Sequence, residues 1–238
     1  MFSYIKFKVI LLTISYFFLE PYMFLYRRIK GDVAIRKKAI KLSKYWCVKI
    51  FKWLKTDIII EGEQNIPNYP VVIVSNHQGS LDIPLLMGFL KNRPSFVAKK
   101  ELKKVPILSS WMNLLGCVFL DRKSPREAVK SFREASKIIQ SGQSIVIFPE
   151  GRRSSDLKEF KKGSFKLAVY SKVPILPVTI LGTDIVTKQY KHVEKRVKVI
   201  IDKPVKIDHL SKEELKDLPE RIKGIIESNF VSDYNIFV

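Results

Sequence analysis

The residues best suited to chemistry form the run Ser75-Asn76-His77-Gln78-Gly79-Ser80-Leu81-Asp82. It follows the apolar stretch Val71–Val74, which reads as a strand buried on both faces. In open α/β sheets, sites form beyond the carboxyl ends of strands, so His77 is well placed. Asp82 lies five residues on, near a helix start, where the turn can bring its carboxylate back to the imidazole. A carboxylate on one ring nitrogen fixes the tautomer and leaves the other nitrogen as a base. Taken alone, this spacing is better read as an N-capping Asp beside a polar loop His.

Other runs share the setting. Phe148-Pro149-Glu150-Gly151-Arg152-Arg153-Ser154 follows the apolar Ile145–Phe148 and should reach the same sheet edge. Gly116-Cys117-Val118-Phe119-Leu120-Asp121-Arg122 ends a third strand with an arginine, and Val173-Pro174-Ile175-Leu176-Pro177-Val178 opens a fourth. Guanidinium groups give permanently charged, bidentate recognition of phosphate.

The elements that must position these residues alternate. Strands are expected at Asp57–Ile60, Val71–Ser75, Ser95–Ala98, Cys117–Leu120, Ser144–Phe148, Ile175–Leu181 and Arg196–Ile201. Helices are expected at Leu81–Lys91, Val105–Leu115, Pro125–Ser141, Phe165–Lys172 and Lys212–Asn229. Ser124, Pro125, Glu127 and Gly142 mark one helix with cap, first turn and stop; Ser211 and Glu214 repeat the capping box, and Pro219 should break or kink that last helix. The fold class expected is α/β, a mixed, largely parallel sheet flanked by helices, with an N-terminal two-helix membrane anchor.

The anchor rests on charge and periodicity. The 238 residues carry 43 Lys and Arg against 23 Asp and Glu, a net +20. Residues 1–55 hold thirteen of the basic residues against Glu20 and Asp32, a net +11, and 13 of the 27 aromatics. Val9–Leu19 is an uncharged run too short to span a bilayer; Glu20-Pro21 interrupts it and Tyr22–Tyr26 resumes it. On a helix over Val33–Lys55, Trp46, Trp53 and most apolar residues share one half, and most lysines the other. That resembles an in-plane interfacial helix, and the alternative is an amphipathic helix packed on its own domain. The expected division is residues 1–55 as membrane-anchoring helices and 56–238 as the catalytic domain.

Composition excludes general disorder, and two cysteines exclude a disulfide framework. No metal-ligand cluster, Walker A, Gly-x-Gly-x-x-Gly or Gly-x-Ser-x-Gly motif is present. Cys47 and Cys117 read as free thiols, Cys117 in a buried strand; His192 and His209 read as surface residues. Ser80 beside His77 and Asp82 would suit a hydrolase, but without the nucleophile elbow.

Taken together, the four runs around His77, Arg122, Glu150 and Pro174, in order over residues 70–182, resemble the sequence blocks of the glycerophospholipid acyltransferase family, and above all its bacterial 1-acylglycerol-3-phosphate acyltransferases. The resemblance implies that His77 is the general base on a glycerolipid hydroxyl and Asp82 its orienting carboxylate. It implies an acceptor site of Arg122, Glu150, Gly151 and Arg153, with Lys99 adding to it. It implies acyl-CoA or acyl-carrier protein as donor co-substrate, no bound cofactor or metal, and a lysophospholipid acceptor. It further implies a catalytic domain in the cytoplasm, at the cytoplasmic face of the cell membrane. The family's third block usually has Thr where this chain has Arg152, which bears on the acceptor. Competing readings are another lysophospholipid or glycerol 3-phosphate as acceptor, or a non-enzymatic basic protein binding membrane or nucleic acid. The His77/Asp82 pair separates enzyme from binder, and the expected partner is membrane rather than nucleic acid.

Overall fold

The computed structural model describes residues 2–121, 124–187 and 195–233. Its centre is a seven-stranded sheet: β1 (Asp57–Glu61), β2 (Val72–Ser75), β3 (Ser95–Lys99), β4 (Val118–Leu120), β5 (Ile145–Ile147), β6 (Ile175–Leu181) and β7 (Arg196–Ile201). The spatial order is β1-β7-β6-β2-β5-β3-β4. Every pairing is parallel except β6 with β7. The carboxyl ends of β6, β2, β5, β3 and β4 therefore share one edge, and those of β1 and β7 lie at the other.

Helices cover both faces: α1 (Phe2–Leu54), α2 (Asp82–Phe89), α3 (Pro106–Leu114), α4 (Pro125–Gln140), α5 (Lys166–Ser171), α6 (Thr183–Thr187) and α7 (Lys212–Asp233). The strand period of two divides the core accordingly. Val71, Ile73, Val146, Leu176, Val178 and Ile180 pack with residues of α1, α2 and α3. Val72, Val74, Ile145, Ile147 and Ile175 pack with residues of α4, α5 and α7. Strands buried on both faces explain the continuous apolar runs of β2, β5 and β6.

Helix boundaries follow local chemistry. The Ser124 hydroxyl accepts from the Glu127 N–H at 3.3 Å, while the Glu127 carboxylate pairs with Lys130 at 2.7 Å instead of closing the capping box. At α7 the box is complete, Ser211 N to Glu214 Oε2 at 2.7 Å and Glu214 N to Ser211 Oγ at 3.2 Å. Contrary to expectation, α7 runs through Pro219. Leu218, Ile222 and Ile226 on either side of it are fully packed in the core, which holds the helix despite the missing backbone bond.

The N-terminal segment differs from expectation in two respects. First, α1 runs through Glu20-Pro21 and kinks at Gly31, whose φ of 81° only glycine adopts freely. The two arms fold back antiparallel. Tyr16 donates to the Leu42 carbonyl at 2.6 Å, Lys38 sits 4.4 Å over the Tyr26 ring, and Lys8 lies 5.8 Å over Trp53. Second, the apolar face of the 32–54 arm faces protein rather than lipid. Ile35, Ala39, Cys47, Ile50, Phe51 and Leu54 are buried, and Phe51 meets Phe89 of α2 edge-on at 5.5 Å. The alternative of a helix packed on its own domain holds here, because α2 and α3 offer an apolar surface that this face covers. Most of the exposed apolar residues of α1 are on the 2–30 arm, including Phe7, Ile10, Leu11, Phe17, Phe18 and Phe24. Among the described residues, α1 alone is long and apolar enough to cross a membrane, by length and composition.

Candidate active site

Three adjacent parallel strands deliver the site. β2 lies between β6 and β5, with Ser75 opposite Val178 and Val74 opposite Ile147. His77 comes two residues after β2, Glu150 three after β5 and Thr183 two after β6. Their loops meet at the sheet edge.

Asp82 opens α2 and is completely buried. Its Oδ2 lies 2.6 Å from His77 Nδ1 and accepts the Gly79 N–H at 3.0 Å. Its Oδ1 accepts the Thr183 hydroxyl. A carboxylate facing Nδ1 requires that this nitrogen carry the hydrogen, which leaves the Nε2 lone pair as the base. The imidazole stacks on Phe148, ring centroids 4.1 Å apart and planes at 15°. Its side chain is 13% exposed, so a substrate proton can reach it.

Glu150 holds the backbone of the same residue. Its Oε1 accepts the His77 N–H at 2.7 Å and its Oε2 the Lys158 N–H at 3.2 Å. The Ser154 N–H donates to the His77 carbonyl at 2.8 Å, so the two loops are tied in both directions. Glu150 is only 4% exposed, and burial pushes its carboxyl up to about 7; the two backbone donors oppose that shift, and the Asp82 charge adds to it. Asn76 anchors the loop from the other side, donating to the Ile180 carbonyl at 2.8 Å and accepting the Ile180 N–H at 2.7 Å.

The structure brings His77, Asp82 and Glu150 into one hydrogen-bonded group. Gly151 (φ 72°) turns the chain after Glu150, and Arg153 is exposed on the same loop. Lys99 is exposed at the end of β3, opposite Leu120 of β4. Arg122 lies outside the described residues, as does His192. His209 is exposed beside Asp208 at 3.0 Å, and burial pushes the Cys117 thiol up to about 11, which suppresses any nucleophilic thiolate. A cavity of about 540 Å³ between Asn65, Lys203, Lys206, His209 and Arg221 opens at the β7 end of the sheet, away from His77.

Asn76 and Phe148 stood within the motif runs but carried no assigned role. Thr183 was missed altogether, since it lies 101 residues from Asp82. A signal was available: strands that neighbour β2 should each deliver a residue just past their carboxyl ends.

A His–Asp pair beside an exposed arginine at one sheet edge can supply a general base next to a cationic group, which is the chemistry that activating the hydroxyl of a phosphorylated acceptor would need. Comparison with known proteins agrees. A sequence profile described as Acyltransferase matches residues 57–181. The chain is 34% identical over 214 residues to the "Probable 1-acyl-sn-glycerol-3-phosphate acyltransferase" of Mycoplasma genitalium, covering 83% of this chain and 78% of that protein. It is 33% identical over 177 residues to the 1-acyl-sn-glycerol-3-phosphate acyltransferase of Saccharomyces cerevisiae, covering 71% of this chain and 58% of the yeast protein. The crystal structure of the 1-acyl-sn-glycerophosphate acyltransferase PlsC from Thermotoga maritima superposes with a TM-score of 0.70 at 31% identity, over 94% of this chain and 97% of that one. The chain belongs to the acyltransferase family.

Proposed function

We propose that this chain moves a fatty acyl group from an acyl thioester to the free hydroxyl of 1-acylglycerol 3-phosphate, giving phosphatidic acid. The observation that carries the reading is the 2.6 Å contact between His77 Nδ1 and the buried Asp82 carboxylate, at the sheet edge that also carries the exposed Arg153. His77 Nε2 takes the proton of the acceptor hydroxyl as its oxygen attacks the thioester carbonyl. The tetrahedral intermediate then expels the thiolate, the C–S bond breaks, and the imidazolium returns the proton to sulfur. Asp82 stabilises the imidazolium throughout.

Arg153, Arg122 and Lys99 are assigned to the acceptor phosphate, with the acyl group supplied by acyl-CoA or acyl-carrier protein. Glu150 and Gly151 serve the acceptor site indirectly. Glu150, with both oxygens on backbone N–H groups, sets the course of the loop that carries Arg153. The test is purified full-length protein with 1-acylglycerol 3-phosphate, other lysophospholipids and glycerol 3-phosphate, each with both donors. Phosphatidic acid formation that disappears in His77→Ala supports the reading; formation unaltered by that change refutes the mechanism.

Residues 1–55 are proposed as the membrane-associating part, with the 2–30 arm meeting the lipid and the 56–238 domain on the cytoplasmic face. The support is the exposed apolar surface of that arm beside its basic residues. Deleting 1–55 would also remove Ile50 and Phe51 from the core, so point changes are the cleaner probe. Phe18→Ser with Phe24→Ser should weaken cosedimentation with phosphatidylglycerol vesicles about tenfold or more, since burying each ring contributes about 1.5–3 kcal/mol. Undiminished cosedimentation would move the contact elsewhere.

A further inference from the structure

Asp82 carries its carboxyl group with no exposed surface. Such a group persists only when its oxygens are fully hydrogen-bonded. Oδ2 has two partners, His77 Nδ1 and the Gly79 N–H. Among the described residues, the donor to Oδ1 is the Thr183 hydroxyl, itself completely buried.

The chain is built to bring Thr183 there. β6 ends at Leu181, Gly182 turns with φ of 88°, and Thr183 begins α6. The catalytic loop approaches the same residue closely. A Cβ on Gly79 would lie 3.3 Å from the Thr183 carbonyl oxygen and 3.5 Å from the Asp184 nitrogen. Gly79 thus allows the loop to pack directly on the start of α6. Asn76 fixes the loop to the same strand through both polar groups of Ile180. The loop is therefore registered against the end of β6 at three points: Asn76, Gly79 and Asp82.

We propose that Thr183 is a positioning residue of the reaction. Its hydroxyl holds Oδ1, which leaves Oδ2 aimed at Nδ1 and keeps His77 in the tautomer whose Nε2 can accept the substrate proton. This makes the arrangement Thr183–Asp82–His77, contributed by two adjacent parallel strands. Loss of the hydroxyl with the shape retained leaves Oδ1 buried without a donor and frees the carboxylate to rotate. The rate of the proton-transfer step falls, while acceptor binding, made by groups on other loops, stays.

The inference rests on the acyl-transfer reading for its kinetic half only. The test compares Thr183→Val and Thr183→Ser in the full-length chain, by kcat and KM and by ring ¹⁵N shifts of the imidazoles in ¹⁵N-histidine-labelled protein. The chain holds three histidines, so the His77 signals are assigned by their loss in His77→Ala. The expected result for Thr183→Val is a kcat lowered about 10–100-fold at unchanged acceptor KM, with the His77 shifts moving toward the tautomer protonated at Nε2. Thr183→Ser should keep the parent shifts and stay within about threefold of the parent kcat. Equal impairment by Ser and Val, or slowing by Val with unmoved His77 shifts, would overturn the proposal, as would a Val variant with parent kcat. Should the parent show no acyl transfer while the shifts respond as described, the positioning role stands and the acyl-transfer reading fails.

Discussion

Two buried carboxylates flank one histidine, and they do different work. Asp82, on the β2–α2 loop, grips the imidazole side chain and is completed by Gly79 N–H and the Thr183 hydroxyl. Glu150, on the loop after β5, grips the backbone of the same residue and a turn eight residues downstream. Asp82 has two side-chain partners, the imidazole and the Thr183 hydroxyl; Glu150 is held by backbone donors, and burial pushes its carboxyl up to about 7. The contrast teaches that a buried acid at a site need not touch substrate. Asp82 bonds the imidazole itself, whereas Glu150 bonds the backbone that carries it.

This difference can be broken by substitution. His77→Ala should remove the base on which both acids act and cost about 10²–10⁴-fold in kcat/KM, measured by phosphatidic acid formation. Asp82→Asn should approach that loss with the fold retained, because an amide cannot fix the same tautomer. Glu150→Gln should fall well short of both, about tenfold, with part of the loss in acceptor KM as the Arg153 loop shifts. A Glu150→Gln variant as inactive as Asp82→Asn would erase the distinction.

Stability against pH sharpens the same contrast. A carboxyl raised by burial stabilises the fold while protonated, so its contribution is full below its ordinary value near 4.5 and is lost as pH rises through about 7. Thermal unfolding of Glu150→Gln should therefore gain on the parent between pH 5 and pH 8, by on the order of 2 kcal/mol. A constant difference over that range would mean that Glu150 is ionised throughout. Smaller still is Gly79→Ala. Its methyl must move Thr183 by a few tenths of an ångström, and a loss of about threefold in kcat, with the fold intact, is expected. Arg153→Ala lies outside the pair and should raise the acceptor KM with kcat nearly unchanged.

Much of this was legible in the chain. Apolar runs of four to seven residues marked β2, β5 and β6, because strands buried on both faces leave no polar alternation. The five-residue interval from His77 to Asp82 pointed to an imidazole–carboxylate contact, because one turn into a helix start returns the side chain to the loop before it. Glu150 was placed at the right edge, yet its partners were not readable, since both are backbone N–H groups that every residue type supplies. Helix α1 was misjudged for a related reason. Periodicity identifies an apolar face but not what covers it, and the apolar face of the 32–54 arm met α2 of its own domain. Pro219 was read as a break or kink, and packing on either side of it kept the helix continuous.

The sequence by itself determined the alternation of strands and helices, the placing of His77 and Asp82 just after a buried strand, and the concentration of basic and aromatic residues in the first 55. Local patterns decide these, through side-chain period, cap chemistry and spacing along the chain. Tertiary structure alone decided the strand order that places β2 between β5 and β6, and with it the approach to His77 of Glu150 and Thr183, which lie 73 and 106 positions further along the chain. It also decided which faces of α1 are covered by protein. Both are long-range packing choices, set by which surfaces exclude water from one another, and no local pattern records them.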